Sequence, residues 1–164
     1  MAHLQNKLKW CIDKAKKEGI KHRGLKEIKP DIERSNKHIE KAIHNFEAMK
    51  YMIEGNFFDW AVDASFYSMY HCLLAILVKH GYESRNQECT ITAIEYLIDN
   101  KKIDLDIKLI KKIATFDENR SHGIITLREE FQYGVETIFS EDKLNELVNE
   151  TRDFIDIVKD LLNK

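Results

Sequence analysis

Proline occurs once in these 164 residues and glycine six times. Proline breaks helices and glycine serves tight turns, so their scarcity predicts long uninterrupted helices. Cysteine is also scarce: Cys11, Cys72 and Cys89 are odd in number and form no C-x-x-C motif. Three unpatterned cysteines read as reduced thiols in a cytoplasmic protein, with Cys72 a compact core residue. No amino-terminal apolar run resembles a signal peptide. There is no P-loop, no glycine-rich dinucleotide fingerprint and no serine in a nucleophile-elbow context. Histidine is present, but no pair has zinc-like spacing joined to cysteine. A di-metal bundle needs Glu three residues before His. The residues three before His38, His44, His71, His80 and His122 are Ser35, Lys41, Ser68, Leu77 and Asn119. Glu40, His44 and Glu47 share a helix face, which reads as a solvated ion-pair face. No cofactor and no metal are expected.

What the chain does have is apolar and charged content, 43% and 33%. That balance fits a helix-rich globular domain with a core of its own. The net charge of −2 conceals an asymmetry. Residues 1–30 carry nine Lys/Arg against three Asp/Glu, and the remainder 17 against 25. A basic arm on an acidic body suits either a solvated face or an acidic partner such as nucleic acid.

The stretch from Phe57 to His80 has no proline or glycine and is apolar almost throughout. At about 100° per residue it resolves into three stripes. Ala61, Ala64, Ser65, Ser68, Cys72 and Ala75 form a seam of small side chains. Phe58, Val62, Phe66, Met69, Leu73 and Ile76 form a bulky apolar stripe. Asp59, Asp63, Tyr67, Tyr70 and His71 share the polar sector. A helix apolar on so much of its circumference has neighbours on most sides. It is long enough to span a bilayer, but Asp59, Asp63, His71 and Lys79 interrupt it, so a buried helix is expected and no membrane span.

Around it, Leu4–Lys17 reads as an amphipathic helix stopped by Gly19, and Ile20–Pro30 as a basic connector. Asp31 caps a second long helix running to Glu54, and Gly55-Asn56 forces it antiparallel to the central one. Thr92-x-x-Glu95 reads as the capping box of a short helix ending at Asp99. A further helix begins near Leu105, with Leu109, Ile110, Ile113 and Phe116 inward. The run from Asp117 to Gly123 reads as a kink or loop before Ile124–Tyr133. Ser140 caps the last helix. No segment alternates long enough to claim a strand. The expected fold is all-α: an antiparallel up-and-down bundle of four main helices with additional short ones. Residues 1–30 would form a basic amino-terminal helix and connector, and 31–164 the bundle.

Within the polar sector, Asp63, Tyr67, Tyr70 and His71 lie on about a third of the helix circumference. Such groups either tie helices together as a satisfied network or form one wall of a ligand cleft, with Arg85, Arg120, His122 or Arg128 opposite.

The stretch DWAVDASFYSMYHCLLAILVKHGYESRNQECT resembles the central helix and following loop of prokaryotic HEPN-domain proteins. Their A-x-x-x-x-Y-y-x-x-f/y-H-a pattern is met by Ala61, Phe66, Tyr67, Tyr70 and His71. Downstream, LREEFQYG is similar to the L-R-x-x-A-D-Y-G segment of one branch. The resemblance covers Asp31 to the carboxyl terminus. It implies a bundle of four or five helices that commonly dimerises, often beside a small nucleotidyltransferase. Some members are metal-independent ribonuclease toxins whose motif is Arg, four to six residues, then His. Here Arg128 is followed after four residues by Tyr133, and Arg120-Ser121-His122 holds the right residue types at the wrong spacing. The reading that follows is a non-catalytic binding module, a homodimer with a nucleotidyltransferase partner and contact to nucleotide or RNA. Its ligand residues would be Asp63, Tyr67, Tyr70, His71, Arg85, Arg128 and Tyr133. The alternatives are a ribonuclease toxin using Arg120 and His122, and a structural assembly protein.

Overall fold

A computed structural model describes residues 2–113, 124–135 and 140–164. Its organising unit is a helical hairpin, α2 (Ile32–Glu54) and α3 (Phe58–Lys79). Asp31 begins α2 by accepting a hydrogen bond from the Arg34 N–H at 2.9 Å, satisfying a donor that the first turn leaves open. Asn56 turns the chain in the left-handed region (φ 61), which asparagine tolerates better than most residues. The tight link sends α3 back along α2.

The small seam lets the two backbones approach. Ser68 Oγ donates to the Ala42 carbonyl, and Ser35 Oγ donates across to Ala75, both at 2.8 Å. Ser65 Oγ meets Thr151 Oγ1 at 2.8 Å, joining α3 to α7 (Glu141–Leu162). Each buried hydroxyl therefore has a partner, as burial demands. The bulky stripe supplies Val62, Phe66, Met69, Leu73 and Ile76 to the core. Leu147, Phe154, Ile155 and Val158 of α7 close it from another side. Fully burying one such side chain contributes roughly 1.5–3 kcal/mol.

Four shorter helices complete an all-α antiparallel bundle: α1 (Ala2–Glu18), α4 (Gln87–Asp99), α5 (Ile107–Ile113) and α6 (Ile124–Tyr133). Ser140 caps α7 through the Lys143 N–H. Only α3 among the described residues is long and apolar enough to cross a membrane, and most of it is buried among its neighbours.

Four expectations need correction or restriction. First, two short strands exist. β1 (Leu25–Glu27) pairs antiparallel with β2 (Tyr82–Ser84), Lys26 opposite Glu83. Three residues are too few for alternation to be read, and the pairing joins segments remote in sequence. Second, α4 starts earlier than the Thr92 box. Asn86 is its cap, accepting from the Cys89 N–H at 2.9 Å, while Thr92 is buried inside the helix. Third, Cys11 and Cys89 form a disulfide, which removes the cysteine argument for a reducing compartment. The two half-cystines stand 78 residues apart, so no local motif announces the pair. Cys72 is a free, buried thiol, as read, and burial pushes its pKa up to about 12. Fourth, Phe116 and the run from Asp117 to Gly123 lie outside the described residues.

Candidate functional site

The polar sector of α3 divides among three neighbours instead of converging on one cleft. Near the start of α3, α6 brings in Arg128. Its Nε donates to Asp63 Oδ1 at 2.8 Å. The guanidinium carbon stands 4.9 Å from the Phe66 ring centre and 5.5 Å from that of Tyr67. A planar cation gains from both a carboxylate and ring faces, and here one arginine uses both. Asp63 and Arg128 are each mostly buried, so the pair holds α6 on α3.

One turn past Tyr67, His71 meets His38 of α2, Nδ1 to Nδ1 at 3.0 Å. One ring must donate and the other accept, so the contact requires at least one neutral imidazole. Burial lowers the His71 pKa to about 4, assisted by the charges of His38 and Lys41. Burial also lowers that of His38; Arg34 adds to the effect and Glu83 opposes it. Both rings are held neutral at pH 7.

Tyr70 turns elsewhere. Its hydroxyl pairs with Thr90 Oγ1 at 3.0 Å, and Thr90 pairs with Ser84 Oγ at 2.8 Å. The Tyr70 ring stacks on Phe66. Burial raises its pKa despite the Thr90 hydrogen bond, so it stays a neutral structural phenol.

Arg85 lies with β2, away from Arg128. It binds Glu83 at 3.0 Å and donates from Nη1 to the Ile20 carbonyl at 3.0 Å. Glu83 is the hub of a cluster that also takes Arg34 at 2.8 Å and approaches His22 at 3.4 Å. Burial would raise the Glu83 pKa, but the Arg34 hydrogen bond and the charges of Arg34 and Arg85 outweigh it and lower it. Tyr133, at the end of α6, is 81% exposed. Arg120 and His122 lie outside the described residues.

Asp63, Tyr67 and Arg128 thus meet, with His71 a turn away, while Tyr70, Arg85 and Tyr133 face other surroundings. Sequence reasoning missed His38 as the partner of His71. The signal was available: Ala42 and Ser68 stand equal steps either side of Gly55, as do Ser35 and Ala75. His38 and His71 follow the same register within one residue. It also missed Glu83 and Thr90, whose partners come from segments distant in sequence. Among the described residues, no three His, Cys, Asp or Glu side chains gather closely enough to hold a metal ion.

An antiparallel bundle built on a hairpin whose second helix carries Tyr67, Tyr70 and His71 defines a class of helical domain. A family model described as HEPN domain matches residues 35–161, most of the chain. The protein belongs to the HEPN-domain family. The match begins inside α2 and leaves out α1 and β1. A comparison with curated proteins finds no match.

Proposed function

We propose that this protein is a non-catalytic HEPN-type binding module of the branch carrying the L-R-x-x-A-D-Y-G-like segment. It would act as a homodimer, beside a small nucleotidyltransferase partner and in contact with nucleotide or RNA. The observation that carries the reading is the state of Arg128. Its charge is matched by Asp63 and its plane lies against Phe66 and Tyr67. Metal-free RNA cleavage needs a base for the ribose hydroxyl and an uncommitted cation for the phosphate. Arg128 is committed. Tyr133 stands where the nuclease motif would place histidine, and a phenol lacks the imidazole nitrogen that makes histidine the usual general base.

Self-association is supported by the outer edge of the hairpin. Trp60 is 56% exposed and Tyr67 43%, with the half-buried His38–His71 pair beside them. Aromatic groups of this kind are enriched in protein interfaces. The expected result in light scattering at tens of micromolar is a dimer mass, and a monomer mass would remove this part of the reading. Co-expression with a nucleotidyltransferase encoded beside it should give one complex on gel filtration.

Catalysis is tested by single-turnover cleavage of unstructured RNA in chelator. Wild type, Arg120→Ala, His122→Ala and Arg128→Ala should all leave the RNA intact. Cleavage by wild type that vanishes in His122→Ala would overturn the non-catalytic reading.

A further inference from the structure

The outward face of α1 lies outside the HEPN match and plays no part in the site above. Leu8, Cys11 and Ala15 bury the inner face, and the Cys11–Cys89 disulfide ties the helix to α4. Gly24 reinforces the seat: a Cβ there would stand 2.5 Å from the Cys11 carbonyl oxygen, so only glycine lets the connector pass so close. The face flanking the buried one is therefore held in a fixed orientation.

That face is a basic stripe around one aromatic ring. Lys7, Trp10, Lys14 and Lys17 recur at helical spacing, and Lys21 follows in the 3-10 turn Gly19–Lys21 just past the end of α1. Lys7 is paired with Glu88 at 3.0 Å. Among the described residues, Lys14, Lys17 and Lys21 have no carboxylate within ion-pair distance. Trp10 is 51% exposed, with Lys14 Nζ 5.1 Å from its ring centre. An indole this exposed gives up burial that a core position would reward. The acidic side chains near the stripe are Asp13, Glu18 and, at the Lys7 end, Glu88 and Glu95; Glu18 is occupied by the Arg23 N–H.

We propose that this face of α1 binds a single strand of nucleic acid, with a base stacked on Trp10 and phosphates on Lys14, Lys17 and Lys21. The charge sign requires a polyanion. The exposed ring selects one that offers a flat π-face, and an aromatic platform flanked by lysines is how proteins grip single strands without reading sequence. Successive helical turns rise about 5.4 Å, comparable to the phosphate repeat of an extended strand. A lipid surface would need a continuous apolar sector on this side, whereas the exposed large apolar side chains here, Trp10 and Ile20, stand ten residues apart with lysines between them. An acidic protein segment would use the lysines and leave the ring idle.

The test uses the full chain carrying Trp60→Phe, so that Trp10 is the sole tryptophan, titrated with an oligouridylate of about 15 nucleotides. Stacking should quench Trp10 emission. Trp10→Ala, in the otherwise native chain and read by anisotropy of labelled oligonucleotide, should weaken binding at least about fivefold. The plot of log affinity against log salt should lose about 0.7 of slope for each of Lys14, Lys17 and Lys21 changed to Gln. Circular dichroism should show all variants folded, since every substituted side chain is at least partly exposed. Absence of binding in low salt would overturn the proposal. So would tight binding that Trp10→Ala leaves unchanged, which would mark a site for acidic protein or polyanions in general. A blue shift of Trp10 on phosphatidylserine vesicles without quenching by oligouridylate would assign the face to a membrane surface and equally overturn it.

Discussion

Arg128 and Asp63 show how one ion pair can stand between chemistry and architecture. Each satisfies the other in a mostly buried position, so truncating one strands its partner. Arg128→Ala should cost about 1–3 kcal/mol in urea denaturation, and adding Asp63→Ala should recover part of that loss. The His38–His71 pair gives a second residue-scale expectation. Both pKa values are lowered, that of His71 to about 4, so the unfolded chain takes up protons before the folded one does. The stabilisation is complete above about pH 6.5 and is lost progressively as pH falls towards 4. The rings are half exposed, so the loss should be of order 1 kcal/mol. Urea midpoints across that range should fall less steeply in His38→Gln than in wild type. At this scale the sequence identified a polar helix face and named Arg128 among the groups opposite it, but missed the other partners. Asp63, Tyr67 and His71 were legible by helical period. Thr90 and Glu83 were not, because loops of unknown course carry them to their contacts.

For the elements, legibility tracked local signals. Asp31, Gly55-Asn56 and Ser140 act through neighbours within a few residues, and each could be read directly. β1, β2 and the start of α4 depend on remote pairing or on a cap hidden behind a competing Thr-x-x-Glu pattern. The amino-terminal arm combines both kinds. Its amphipathic face was visible, but its attachment through Cys11 and Cys89 was not. Closing a loop of that length contributes roughly 2–4 kcal/mol. Reduction, or Cys11→Ser with Cys89→Ser, should lower the melting temperature, whereas Cys72→Ala changes only local packing. Gly24→Ala should leave the helical content of the bundle intact and expose the connector around residues 18–30 to limited proteolysis.

Taken whole, the chain separates its charges along the sequence: the excess of Lys/Arg falls in residues 1–30 and that of Asp/Glu in the remainder. The hairpin edge around Trp60 and Tyr67 and the outer face of α1 are distinct surfaces, so self-association and polyanion binding need not compete. If the proposed homodimer forms, light scattering should give two chains per particle with and without oligonucleotide, the mass rising only by that of the bound strand. The all-α class followed from composition and period. The family was legible in α3, where Ala61, Phe66, Tyr67, Tyr70 and His71 meet its pattern, and the match over residues 35–161 shows membership.

The three cysteines also impose an order on maturation. A chain growing from its amino terminus presents Cys11 first, Cys72 next and Cys89 last. Cys11 therefore meets the wrong thiol before the right one exists. The α2–α3 hairpin resolves this. Its contacts are close in sequence and need little loop closure, so it condenses early. In the folded chain Cys72 has none of its surface exposed and its thiol is held protonated, and a protonated thiol is a poor nucleophile. In the finished fold Cys11 is paired with Cys89, and Cys72 is buried out of its reach. The seam of small residues that brings the helices together thus also acts as a safeguard against mispaired oxidation.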